Sequence, residues 1–329
     1  MPAHLQTDQQ NLIYKKKYEK NLEGGAVKAT IRDEEFTLKH IDKTTDIPKG
    51  QKALHRALTL MKEKGQWDNL PNLIRGLRSA GAKMSPFYRT QVMRFLGRGG
   101  RQDLIIECLR RVSNTDMNLN DNTTLQQALW WMQFKGVTSE WDREQTSKAL
   151  SWSEMIMEML EDPKHHASDG GITPNRDRPE NNGILLQLAA VRSEKHLGGK
   201  DTDGKVELWA RKLLSGYSKW NIEIDGTKRE KASQCNKWVC ELVPVLHGVN
   251  VAQRVLDPSS ELIAPLKQVE VDIEKLLPPL LKGAERHIAK FPEKGGFRPH
   301  GLWLHKALLS LESSWGHLQK THKVHKGEI

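Results

Sequence analysis

Residues 52–120 hold two copies of one pattern, displaced from each other by 35 positions. The displacement sets Gly65 on Gly100, Leu70 on Ile105, Leu73 on Cys108, Ile74 on Leu109, Leu77 on Val112 and Met84 on Leu119. Upstream it sets Ala57 on Val92, Leu58 on Met93 and Met61 on Leu96. Self-similarity at such a period belongs to architectures whose units cannot bury their apolar faces alone and do so by stacking on neighbours. The expected fold is all-α: a helical-hairpin solenoid of two to three units, followed by further helical hairpins or a small bundle.

Each copy reads as helix, turn, helix. Ala53, Leu54, Ala57, Leu58 and Met61 recur at helical spacing, and Gly65 ends that run because glycine takes the left-handed cap cheaply. Asp68 or Asn69 can cap the next helix, Pro71 is tolerated in its first turn, and Gly81 closes it. The second copy uses Gly99-Gly100 as the turn and Asp103 as the cap. A third, degenerate unit follows, capped by Asp121, Asn122 or Thr123, with its turn expected at Lys135-Gly136 and a longer partner helix from Ser139 to Leu160.

Outside this block, residues 1–46 are polar and read as an extended N-terminal strap, with Val27 to Leu38 as a short strand or extended arm. Residues 47–162 form the repeat region. Residues 163–182 mix Pro, Gly, Asn and alternating charges without periodicity and read as a flexible loop. Residues 183–329 form a C-terminal helical region with a basic tail at Lys320, His322, Lys323, His325 and Lys326. Within it, an apolar face from Leu262 to Leu277 is expected to end at Pro278-Pro279.

The net charge is +10, and its placement matters more than its size. Residues 51–120 carry 13 Lys and Arg against 5 Asp and Glu, a surplus of 8. A basic surface of this kind favours a polyanion. Three cysteines, Cys108, Cys235 and Cys240, are too few for a disulfide framework and read as buried small hydrophobes. No apolar run approaches the roughly 18 residues of a membrane span.

The Met61 to Gly65 turn, the Leu73 to Leu77 second helix and the Ser79 to Lys83 exit resemble a unit of the pentatricopeptide repeat family. The resemblance covers about residues 52–138. It implies a superhelix whose first helices line a groove for single-stranded RNA, in a protein of mitochondrial or chloroplast gene expression. It also implies that bases would be read by Arg56 with Pro86 and by Gln91 with Asp121. Neither pair has the family's usual side chains, so backbone contact is expected to outweigh base reading. The mitochondrial matrix placement rests on this resemblance alone, since the first residues lack arginine before Arg32 and carry early acids, unlike a presequence.

Arg94, Arg98 and Arg101 lie at i, i+4 and i+7. With Arg56, Lys62, Arg89, Gln91, Arg110 and Arg111 they form the expected RNA-binding set, acting mainly through phosphates. Tryptophans Trp131, Trp209, Trp238, Trp303 and Trp315 fall on apolar stripes and read as core, whereas Trp67, beside a turn, reads as exposed. The stretch Gly199 to Val206 has most of a phosphate-loop spacing but places Asp201 and Asp203 where phosphates would lie. His165-His166 and His322 with His325 lack other ligands at metal spacing and read as solvated.

No nucleophile, dinucleotide, kinase or metalloprotease pattern is present, and no cofactor or metal is expected. The expected function is that of a non-catalytic RNA- and ribonucleoprotein-binding helical repeat protein, a structural or associated component of the mitochondrial ribosome. Its expected partners are ribosomal RNA and other proteins of the assembly, with no membrane span. The alternatives are a sequence-specific organellar RNA processing or translation factor, and a protein-binding scaffold without RNA contact.

Overall fold

The computed structural model describes residues 5–25, 27–31, 34–42, 50–79, 81–165, 175–220, 232–290 and 300–312. The chain divides into two compact units, Met1–Gln66 and Trp67–Ile329. The described residues are almost entirely helical, as the sequence periodicity predicts.

In the first unit, helices α1 (Thr7–Tyr14) and α2 (Glu19–Leu22) precede an antiparallel hairpin of β1 (Lys28–Ile31) and β2 (Glu34–Thr37). Ala29 pairs with Phe36 and Thr30 with Glu35. Leu5, Ile13, Leu22, Ala29 and Leu38 meet in a small core, flanked by Leu12, Tyr14, Val27 and Ile41. The Ile41 amide donates to the Ile13 carbonyl at 2.9 Å, closing the segment on itself. An extended strap with a short strand or arm over 27–38 was expected here; a strand pair forms, and Val27, Ala29 and Leu38 pack with Leu5, Ile13 and Leu22. Helix α3 (Gly50–Lys64) completes the described part of this unit, with Leu54 and Leu58 buried.

The second unit contains α4 (Leu70–Ser79), α5 (Pro86–Arg98), α6 (Gln102–Arg110), the single turn α7 (Val112–Thr115), α8 (Asn122–Thr138), α9 (Arg143–Met159), α10 (Pro179–His196), α11 (Lys205–Tyr217), α12 (Ala232–Val255), α13 (Ile263–Lys290) and a helix at 301–312, here α14. Side-chain caps start several of them. Ser85 accepts from the Tyr88 amide, Asp121 from Thr124, and Asp142 from both Glu144 and Gln145.

The 35-residue displacement survives as hydrogen-bond geometry. Gly65 and Gly100 both take positive φ, 65° and 72°. After each, the next amide reaches back to an equivalent carbonyl at 2.9 Å, Gln66 to Met61 and Arg101 to Leu96. The exits repeat as well, with Gly81 at φ 82° and Asp116 at φ 56°. The third unit departs from this register. Gly136 lies inside α8, and the turn to α9 is made by Glu140 and Trp141, both with positive φ. Gly136 is small for a different reason: a Cβ there would sit 2.9 Å from the Trp141 ring.

Helix α10 is the centre of the second unit. It packs against α8, α9, α11 and α12, and every residue from Pro179 to Val191 is buried. A helix covered on all sides carries no polar face to solvent. Close approach to α12 is set by glycine on both helices: a Cβ on Gly183 would overlap Val245, and one on Gly248 would come 2.8 Å from the Gln187 amide nitrogen. Residues 179–182, expected to belong to a flexible loop, are the first turn of this helix, begun by Pro179 at a position where its missing N–H costs nothing. Residues 166–174 of that expected loop lie outside the described residues.

Two further expectations change. Helix α13 runs through Pro278-Pro279, because Leu277 and Leu280 are buried on either side and Ala284 beyond them, and this burial outweighs the lost backbone bonds. Trp67 is buried, its ring against Gly99, which is a packing role at the turn. Trp131 and Trp209 are buried as expected and Trp238 and Trp303 half-buried; Trp315 and the basic tail lie outside the described residues. Cys108 and Cys235 are buried free thiols, and Cys240 is half-buried.

Candidate nucleic-acid interface

The cations expected to meet RNA fall into distinct environments. Arg56 and Lys62 are exposed on α3, and Arg110 and Arg111 are exposed at the end of α6, Arg111 paired with Glu107 at 3.1 Å. Arg94 and Arg98 are exposed one turn apart on α5, with Arg94 Nε donating to Gln127 Oε1 at 3.0 Å.

Arg101 sits beside them but is already neutralised. Its guanidinium donates to Asp103 at 2.8 Å and Asp68 at 2.6 Å, and these bonds raise its pKa and hold it protonated. The expected row of three arginines is therefore a pair plus a locally satisfied ion cluster.

Arg89 is the clear correction. It is only 6% exposed, and burial lowers its pKa. Nε donates to the Asp116 carbonyl at 3.1 Å, and Nη1 to Asn120 at 3.0 Å and Asp121 at 3.1 Å. The group joins α5 to the segment before α8 and is turned away from solvent. A signal for this was present in the sequence: a 35-residue displacement sets Arg89 on Leu54, a member of the apolar stripe.

Gln91 is half-buried, and the residue paired with it by the repeat resemblance is occupied. Asp121 Oδ1 accepts from the Thr124 amide at 2.8 Å, while Oδ2 accepts from Thr124 Oγ1 at 2.6 Å and from Arg89. That carboxylate serves a helix cap and an ion pair.

Arg94 and Arg98 stand at the rim of a cleft of about 550 Å³ lined by α5, α8, α10, α12 and His300. Trp130, Gln126, Glu180 and Glu241 lie deeper in it. Burial raises the Glu241 pKa despite nearby Lys237, and Glu180 adds to the rise. Little in the sequence points to this site, since Glu180 lies in a stretch that reads as a loop and Glu241 is a lone acid in an apolar helix.

A second polar line runs through the core. The Gln133 amide donates to Gln187 Oε1, and Gln187 Nε2 reaches His247 Nδ1 at 3.0 Å. The His247 ring stacks on Trp141 with centroids 6.0 Å apart. Desolvation, then Arg254 and Lys195, push its pKa down to about 3, so the imidazole is neutral. Glu312 lies 3.6 Å away, and burial raises its own pKa against the pull of Arg254 and Lys195.

The phosphate-loop spacing at 199–206 is filled by the chain itself. Asp201 accepts from the Val206 and Glu207 amides at 3.1 and 2.9 Å, occupying the α11 N-terminus. His165 is buried, contrary to its solvated reading, while His166, His322 and His325 lie outside the described residues. Among the described residues no group of three or more His, Cys, Asp or Glu could hold a metal ion, and no helix is long and apolar enough to cross a membrane.

Residues 1–295 match the family of mitochondrial ribosomal protein mS27. The chain belongs to the mS27 family. It is also similar to the small ribosomal subunit protein mS27 of Neurospora crassa, 30% identical over 218 residues. That similarity covers 66% of this chain and 53% of the relative, so the chain spans about half the length of the curated relative it matches. Membership of the mS27 family puts the chain among mitochondrial ribosomal proteins and its location in the mitochondrion.

Proposed function

We propose that this chain is a non-catalytic structural component of the small subunit of the mitochondrial ribosome that contacts ribosomal RNA through phosphates and neighbouring proteins through its helical surfaces. Family membership carries the ribosomal setting. The single observation supporting RNA contact is the exposed pair Arg94 and Arg98, one turn apart on α5 at the mouth of a cleft. Arg56, Lys62, Arg110 and Arg111 add exposed cations. Such contacts supply affinity without sequence choice. The repeated turns at Gly65 and Gly100 support a short helical-repeat platform of the pentatricopeptide kind.

Sedimentation of mitochondrial extracts, together with RNA binding of the purified chain at two salt concentrations, tests this reading. Co-migration with small-subunit particles is expected, and the Arg94→Glu, Arg98→Glu double variant should bind single-stranded RNA at least tenfold more weakly at low salt. Free migration at low salt, or RNA affinity unchanged by the double reversal, would overturn it.

A further inference from the structure

Helices α5 and α8 pack side by side, α4, α6 and α9 form a second row, and α6 lies against both α5 and α8. Residues exposed on one row therefore look away from the other. On α5 these include Phe87, Arg94 and Arg98. On α6 the apolar residues Leu104, Ile105, Ile106, Cys108 and Leu109 are buried, which leaves Asp103, Glu107 and Arg110, at i, i+4 and i+7, as its outer strip. The cations of the second row thus belong to a different surface from Arg94 and Arg98.

The single turn α7 gathers them. Arg111 precedes it and Asp116 follows it, about 8 Å apart along the helix axis. Asp116 accepts from the Met84 amide at 2.9 Å and lies 3.7 Å from Arg78, which brings the end of α4 and the Lys83-Met84 connection to the same place. Arg75 stands one turn before Arg78 on α4, its Nη2 donating to Asn72 Oδ1 at 3.1 Å. Five exposed cations, Arg75, Arg78, Lys83, Arg110 and Arg111, surround two carboxylates, Glu107 and Asp116. A helix dipole favours a cation in the last turn, which accounts for Arg78 and Arg110 and not for the other three.

The surroundings of these cations restrict their partner. An acidic protein surface would be held by an apolar or aromatic centre as well as by charge. Here the exposed neighbours are Asn72, Ser79, Ser113 and Asn114, and among the described residues no large exposed hydrophobic side chain lies on α4, α6 or α7. Single-stranded RNA is held by base stacking as well as by phosphate contacts. Helices α4, α6 and α7 contain no aromatic residue, whereas the α5 side has Phe87 exposed and Trp130 lining the cleft. Cations without stacking partners fit the phosphates of a double helix, which is recognised by shape and backbone.

We propose that the ends of α4 and α6 around α7 bind the backbone of an RNA duplex, so that the chain joins a duplex on this surface to an unpaired strand at Arg94 and Arg98. The inference rests on the RNA-contacting reading above and adds a second, independent site to it.

The test uses the full chain with a blunt RNA duplex of about 16 base pairs and with a uridine hexamer, each followed by fluorescence anisotropy. The Arg75→Glu, Lys83→Glu, Arg110→Glu triple variant changes three side chains that are in no ion pair among the described residues. It should weaken duplex binding at least tenfold and alter hexamer binding by less than about twofold. The Arg94→Glu, Arg98→Glu double variant should do the reverse. Should the triple reversal unfold the chain, the milder Arg75→Gln, Lys83→Gln, Arg110→Gln variant should lower the salt slope of duplex binding by about three. Beads carrying the hexamer should retain labelled duplex only in the presence of the wild-type chain, and either set of reversals should abolish that capture. Duplex affinity unchanged by the triple variant, or displacement of the duplex by unlabelled hexamer, overturns the second site and leaves single-strand contact standing. Absence of binding to both RNAs removes both readings. Loss of small-subunit association by the triple variant with duplex affinity intact would assign the patch to an acidic partner protein and overturn the proposal as well.

Discussion

Gly97 of α5 lies directly against the indole of Trp131 of α8, so that a Cβ built on the glycine would overlap the ring. Both residues are buried, and Trp131 also makes an edge contact with Phe134 at 5.2 Å between centroids. The glycine is what lets the two helices meet at this distance.

Gly97→Ala should therefore destabilise the second unit by about 1–3 kcal/mol, because the added methyl forces a large ring out of a packed site. Chemical denaturation of the purified variant measures the loss. A midpoint equal to that of the wild type would show that Trp131 can move aside at no cost.

Replacing Arg89 separates its two possible roles. Arg89→Met keeps the length of the side chain but strands the Asp116 carbonyl and the Asn120 and Asp121 side chains. Asp121 is partly exposed and can recruit water, so the expected loss is about 2 kcal/mol, below that of a fully buried pair. Salt-dependent RNA affinity, measured below the melting transition, should not change. A flatter salt slope with normal stability would return Arg89 to the RNA surface.

His247 predicts a pH dependence of stability. Its folded pKa is depressed to about 3, below the unfolded value near 6.5. Between these values the unfolded chain binds a proton that the native state refuses, so stability rises with pH across the window and is fully present above about pH 6.5. Going down, the loss from this group reaches roughly 2 kcal/mol by pH 5. The raised pKa values of Glu241 and Glu312 act in the opposite direction, because their native forms hold protons more readily. Denaturation of the wild type and of His247→Gln at pH 7.5 and pH 5 isolates the histidine. The variant should have the shallower loss on acidification, and identical pH responses would count against a neutral buried imidazole.

Neighbouring arginines should behave differently in RNA binding. Arg98→Ala should lower the salt slope by about one counterion, whereas Arg101→Ala should leave it nearly unchanged because Asp68 and Asp103 already hold that guanidinium. Equal slopes for the two variants would contradict this assignment.

The all-helical fold was legible because burial in α3 to α6 follows a 3.6-residue period, and because Gly65 and Gly100 mark turns that demand a left-handed residue. The register failed at Gly136, where the glycine accommodates the Trp141 ring and the left-handed positions fall to Glu140 and Trp141. It failed again at 179–182, where Pro, Glu and Asn read as solvated yet bury a hydrogen-bonded polar group inside helix contacts that no local pattern announces. Of the candidate interface, the α5 arginines were visible as a charge surplus, and the inward turn of Arg89 was implicit in its alignment with Leu54. Glu180 and Glu241 come together from α10 and α12, 61 positions apart in the chain, and only the packing of those helices reveals them.

The enclosure of α10 bears on the order in which the protein forms. Helices α8 and α9 are synthesised first, with apolar faces that α10 will cover, and α10 in turn stays bare until α11 and α12 follow. The nascent second unit thus holds unpaired apolar surface until at least residue 255 is free to fold, a span over which that surface is open to wrong association.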